Sequence, residues 1–167
     1  MTSRVIVSLR VSASPERTFE VFTEQIGLWW RPSPLFVTAR REPGRLAFQG
    51  GAGGRLLETY PDGAVFEIGR ILVWEPGARL SLTWRQADFA PDQTTRVDVR
   101  FEALGSETRV TVEHSGWDAI PRNHAARHGF PLAPFQLRLA ERWQVGLAAL
   151  AGRLDADQSV TPPPSAT

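Results

Sequence analysis

The sequence contains no cysteine and no lysine. Without cysteine there is no disulfide, no thiol nucleophile and no thiolate metal site, a composition that suits a reducing compartment. Without lysine there is no Schiff-base chemistry and no phosphate-loop lysine. All 19 basic residues are therefore arginine, set against 18 acidic residues for a formal charge of +1. A balance this even gives no field of one sign to draw nucleic acid or an anionic membrane. No stretch approaches the roughly 18 apolar residues of a membrane span. Residues 1–9 are too short an apolar run for a signal peptide and alternate like a strand. The expectation is a soluble cytoplasmic protein with neither a nucleic-acid nor a membrane partner. Its oligomeric state is left open.

What is abundant is aromatic: six tryptophans and nine phenylalanines, with a single tyrosine and three histidines, in 167 residues. That length suits one domain with a core of its own. Residues 4–11 alternate, with Val5, Val7, Leu9 and Val11 on one face, as in a strand buried on one side. Ser14-Pro15-Glu16 then opens a helix: serine caps, proline fits the first helical position, and glutamate complements the dipole. Phe19, Phe22 and Ile26 follow at helical spacing, and Trp29-Trp30-Arg31-Pro32 closes the segment.

Residues 35–117 read as strands separated by turns. Strands are expected at 35–41, 46–49, 55–60, 64–74, 79–85, 94–104 and 108–114, and the short links make neighbours antiparallel. Residues 115–134 carry three prolines and read as irregular. Phe135, Leu139, Trp143, Leu147, Leu150 and Leu154 then recur at steps of three and four, which predicts a long helix with one apolar stripe. The domain is expected to span residues 1–154. The polar tail 155–167, ending near Pro162-Pro163-Pro164, is expected to be disordered. The fold class is α+β: a curved antiparallel sheet buries one face against the terminal helix.

This order of motifs resembles the Hsp90-ATPase-activator-homologue (AHSA1-like) branch of the START-like (SRPBCC) superfamily. The resemblance rests on Val11-Ser12-Ala13-Ser14-Pro15-Glu16, Gly53-Gly54-Arg55, Asp62-Gly63 and Gly69-Arg70-Ile71-Leu72. It continues through Trp74-Glu75-Pro76, Leu80-Ser81-Leu82-Thr83-Trp84 and 108–117, and closes on Trp143, Leu147 and Leu150. It implies a helix-grip fold of bacterial type that holds a hydrophobic ligand between sheet and helix. Some relatives cyclise or dehydrate polyketides there, and eukaryotic relatives stimulate the Hsp90 ATPase. Two features depart from the relatives' pattern: a link at 118–134 rich in Arg, His and Pro, and Arg142, where relatives commonly carry glycine.

The candidate chemistry is sparse. Gly50-Gly51-Ala52-Gly53-Gly54 matches no phosphate-loop pattern and leads into a strand, so it reads as a turn. His124 and His128 stand four apart, but no third ligand is evident nearby, with Asp118 and His114 only as distant completions, and no metal or cofactor is expected. His114 ends a strand on the face of Val110 and Val112. It is the one weak catalytic candidate, as an acid or base in the cavity. The expected ligand-binding set is Phe22, Trp30, Phe66, Trp84, Phe101, Trp143 and Leu147, with His114, Arg100 or Tyr60 as a polar handle. Trp29 and Trp30 are read either as a plug on the core or as the mouth of the pocket or an exposed patch for a partner.

Three functions follow in order. The first is binding of a small hydrophobic or aromatic molecule between sheet and helix. The second is a cyclase or dehydratase working in the same cavity. The third, and weakest, is an interaction module with a chaperone as partner.

Overall fold

A computed structural model describes residues 3–31, 33, 35–36 and 42–158. Seven strands form a single antiparallel sheet in the order β1-β7-β6-β5-β4-β3-β2. They are β1 (Arg4–Val11), β2 (Arg45–Gln49), β3 (Arg55–Thr59), β4 (Val65–Glu75), β5 (Arg79–Trp84), β6 (Thr95–Leu104) and β7 (Glu107–Ser115). Two helices, α1 (Pro15–Glu24) and α2 (Ile26–Trp29), link β1 to β2, and α3 (Leu132–Gln158) closes the chain. This is the helix-grip arrangement expected from the sequence. Among the described residues no helix is long and apolar enough to cross a membrane.

Period-2 alternation decides which face of the sheet is buried. Val5, Val7 and Val11 of β1 lie beside Val110, Val112 and His114 of β7, in the register Val7 to Val112 and Val5 to His114. Val97, Val99 and Phe101 of β6 and Leu80, Leu82 and Trp84 of β5 continue this face. The stripe of α3 covers it: Phe135, Leu139, Trp143, Leu147, Leu150 and Leu154 are all buried. α1 adds Phe19 and Phe22, whose rings stand edge-on to Phe101 at 5.2 and 5.7 Å.

The sheet bends in its second half. Register shifts lie between Leu56 and Leu57 in β3 and between Ile71 and Val73 in β4. Extra residues of this kind kink and twist a strand. At the bend Gly69 lies so close to β5 that a Cβ there would stand 1.7 Å from the Thr83 carbonyl oxygen. The bend carries β2–β4 away from α3, and α2 fills the inside of the curve. A Cβ on Gly27 of α2 would stand 2.8 Å from the Leu46 carbonyl oxygen, so glycine allows that close approach.

Three expectations are corrected. Leu35 and Phe36 form a turn, with the Phe36 N–H bonded to the Ser33 carbonyl at 3.1 Å, and do not begin a strand; residues 37–41 lie outside the described ones. α3 starts at Leu132, earlier than expected, because a first-turn proline such as Pro134 forfeits no intrahelical bond. It also continues through Asp155 to Gln158, so the expected tail begins inside a helix. That last turn is anchored to α1. Arg17 pairs with Asp157, and Arg153 Nε donates to Gln25 Oε1 at 2.8 Å. Residues 159–167 lie outside the described ones.

Candidate functional site

The curvature of the sheet leaves a partly enclosed cavity of about 190 Å³ between β2–β5 and α2. Trp30, Phe36, Phe66, Trp84 and Ile68 give it apolar walls, and Arg45, Glu58, Arg85 and Gln86 give it polar ones. Trp30, Phe36 and Trp84 form a continuous aromatic surface, with ring centroids 5.3 to 5.7 Å apart. A cavity of this size suits a one- or two-ring molecule, since roughly 150 Å³ already admits benzene.

Glu58 is the unexpected feature. It is 5 % exposed on β3, where Leu56 and Leu57 on either face are buried too. The hydroxyl of Tyr60 donates to its Oε1, and the other carboxylate oxygen has acceptor capacity left for a ligand. Across the cavity the Arg85 guanidinium lies 5.7 Å from the Phe66 ring centroid, with its Nη2 donating to the Phe89 carbonyl at 3.2 Å. The walls are therefore aromatic, with a buried carboxylate, a buried carboxamide and two arginines, Arg45 and Arg85, among them.

The expected binding residues divide between this cavity and the core. Trp30, Phe66 and Trp84 line it. Phe22, Phe101, Trp143 and Leu147 do not. Phe22 and Phe101 pack on each other under α1, and Leu147 is sealed in the α3 stripe. Trp143 stands one layer behind the aromatic wall, 5.3 Å from Trp30 and 6.1 Å from Trp84. The cavity thus lies beside α2 and the bent end of the sheet. The expected position between sheet and terminal helix is filled by side chains of both. Of the expected polar handles, Arg100 faces outward and is exposed, whereas Tyr60 serves Glu58.

His114 is part of the core and lines no cavity described here. It is 1 % exposed, and burial pushes its pKa down to about 3. Trp143 Nε1 donates toward its Nδ1 and Trp117 Nε1 toward its Nε2, each at 3.1 Å. Thr95 Oγ1, which itself donates to the Trp84 carbonyl, lies 2.8 Å from Nε2. Either neutral tautomer accepts from one indole, and the imidazolium accepts from neither. The ring is therefore neutral, and it ties β7, β6 and α3 together behind the aromatic wall.

The two tryptophans after α1 divide the roles foreseen for them. Trp29 is the plug: 1 % exposed, with its indole N–H on the Phe22 carbonyl at 3.0 Å. Trp30 is part of the cavity wall. His124 and His128 serve different segments. His124 Nε2 donates to the Asp88 carbonyl at 3.1 Å, and its Nδ1 accepts from the Ala126 N–H. His128 Nε2 donates to the Leu35 carbonyl at 3.1 Å.

Sequence reasoning missed Glu58, Phe36, Ile68, Arg85 and Gln86. Glu58 carried a signal: the run Leu56-Leu57-Glu58 is apolar on both faces, so its carboxylate belongs to a fully covered strand. Phe36 and the loop residues carried none.

A family model described as "Activator of Hsp90 ATPase homolog 1-like protein" matches residues 12–151. No curated protein matches the chain. Among solved structures, the anthrahydroquino-γ-pyrone synthase Txn09 is 32% identical, covering 89% of this chain and 95% of its own, with a TM-score of 0.53. Protein MLL2253 from Mesorhizobium loti is 22% identical over 92% of this chain and 98% of its own, with a TM-score of 0.62. Aha1 from Colwellia psychrerythraea, solved as a dimer, is 18% identical over 91% and 96%, with a TM-score of 0.60. The last two share the fold.

Proposed function

Because this chain belongs to the Activator of Hsp90 ATPase homolog 1-like family, we propose that its working part is the aromatic cavity at the bend of the sheet, and that it binds a small planar aromatic molecule there. The observation that carries the reading is the meeting of Trp30, Phe36, Phe66 and Trp84 around a buried Glu58. Apolar walls around a few convergent polar groups are how proteins hold small ligands. The rings supply contact area, and the carboxylate orients a ligand hydroxyl, which makes a phenol the best-matched class. Of the other expected residues, Trp143 backs the wall at Trp30 and Trp84, while Phe22, Phe101 and Leu147 belong to the core.

The test uses 2-naphthol, a two-ring phenol, in calorimetric titration. The unmodified protein binds it saturably at one site. Phe66→Ala weakens binding about tenfold, the equivalent of ~1.4 kcal/mol for one lost aromatic wall. Leu147→Ala lowers the melting temperature and leaves the dissociation constant within a factor of two. Equal loss in both variants, or no saturable heat with the unmodified protein, removes the assignment.

A second reading, a ring-closing enzyme of the cyclase type in the same cavity, is favoured by the 32% identity with a pyrone synthase. In it Glu58, held by Tyr60, takes the proton-transfer role first considered for His114, which has no route to the ligand. Glu58→Gln then abolishes turnover of a phenolic substrate while keeping its binding. The chaperone-partner reading rests on family membership.

A further inference from the structure

A second cavity, of about 450 Å³, opens on the other side of the aromatic wall, along α3. Leu35, Phe130 and Val145 give it apolar walls, and its charged lining is Arg138, Glu141 and Arg142, with His128 at the edge. Ser33 borders both cavities.

Arg142 is the unusual group. It is 7 % exposed, so its guanidinium is held away from water. Its carbon centre lies 4.8 Å from the Trp30 ring centroid and 5.9 Å from that of Phe36. Its Nε and Nη2 are buried without any hydrogen-bond partner. Stacking on an aromatic ring returns only about 2 kcal/mol to a desolvated cation, whereas burying an unpaired charge costs several kcal/mol. Nε and Nη2 are also the two nitrogens on one edge of the guanidinium fork, the edge that receives the two oxygens of a carboxylate.

Arg138 stands one helical turn earlier and reaches over Phe130 at 5.5 Å. Neither arginine has an ion pair among the described residues. Glu141 is exposed, and it is the only acid in the lining against two arginines.

We propose that the α3 cavity is a binding site for an organic carboxylate, whose apolar body rests on Leu35, Phe130 and Val145 and whose carboxylate is taken by Arg142 with help from Arg138. Nε and Nη2 are shielded from water, so pairing requires the guanidinium to turn toward the ligand. The turn alters its stack on Trp30, which couples this site to the wall of the first cavity. The inference stands apart from the phenol reading, since no residue named in that test lines this cavity.

The probe is phenylacetate, with phenylacetamide as its uncharged counterpart, titrated by NMR into the isotope-labelled protein. Phenylacetate shifts the Arg142 Nε–H resonance downfield and perturbs the Trp30 indole, and phenylacetamide does neither. Arg142→Met weakens phenylacetate binding at least tenfold. Arg138→Gln changes an exposed residue, so the fold survives, and it weakens binding about threefold. Equal response to acid and amide, or an Arg142 resonance unmoved at saturation, overturns the proposal. So does unchanged binding in a folded Arg142→Met protein.

Discussion

Acidification from pH 7 to pH 4 destabilises the fold by several kcal/mol, and most of that loss disappears in His114→Gln. The cause is the neutral imidazole locked between Trp117, Trp143 and Thr95. In the folded chain its pKa is pushed down to about 3 by burial, while in the unfolded chain it returns to about 6.5. Between these values the unfolded state binds a proton that the folded state refuses. Stability therefore rises with pH across that window, and on acidification it falls from about pH 6.5 and levels near pH 3. The gap corresponds to roughly 4–5 kcal/mol, a large part of the 5–15 kcal/mol that typically holds a domain together.

Carboxylates act in a different window. Burial works to raise the Asp98 carboxyl, but hydrogen bonds from Arg96 and Ser81 outweigh it and hold the group below the ordinary carboxylate range. Its contribution is lost only below about pH 4. Denaturant unfolding at pH 7, 5.5 and 4 separates the two. A midpoint that stays flat over this range, or one that falls equally in His114→Gln, contradicts the account of His114.

The second large effect is Gly69→Ala, which destabilises by about 3 kcal/mol or more. The new Cβ would stand 1.7 Å from the Thr83 carbonyl oxygen and 2.7 Å from its carbon. Both are backbone atoms, so β4 and β5 must part, and overpacking that moves backbone sits at the costly end of its range. Parting them also disturbs the Arg85 N–H bond to the Ile68 carbonyl at 2.8 Å. Phe66, Ile68 and Trp84 flank this crossing, so the cavity loses its shape with the stability. Gly152→Ala is the control: nothing lies within 4 Å of the added Cβ in α3, and the exchange stabilises by up to about 1 kcal/mol. Thermal unfolding of the two variants measures both, and a Gly69→Ala protein as stable as the unmodified chain contradicts the close approach.

The fold was legible because its signals are local and periodic. Alternation in β1 and β7, the Ser14-Pro15 start of α1 and the leucine–tryptophan stripe of α3 each specify an element without reference to the rest. The cavity was legible only in part. Trp30, Phe66 and Trp84 could be named as aromatic candidates, but alternation cannot distinguish a ring facing a cavity from one facing another ring. Phe22 and Phe101 have the same pattern and are packed. What separates them is the bend of β3 and β4, and it arises from two register shifts that leave little trace in the sequence. His114 was correctly assigned to the inner face; its lack of access depends on two indoles that come from distant segments. Arg142 carried a signal of its own. It lies three residues after Leu139 and beside Trp143, on the flank of the apolar stripe, where an arginine is covered on packing.

Whether the bend of the sheet holds the ligand is read from the six tryptophan indole N–H resonances during titration with 2-naphthol. The indoles report on separate places: Trp30 and Trp84 on the cavity wall, Trp117 beside His114 behind it, and Trp29 in the plug under α1. A ligand in the cavity produces saturable shifts at Trp30 and Trp84 and leaves Trp117 and Trp29 unmoved. Shifts confined to Trp117 and Trp29, or no saturable shift at Trp30 and Trp84, mean that the cavity at the bend is not the binding site.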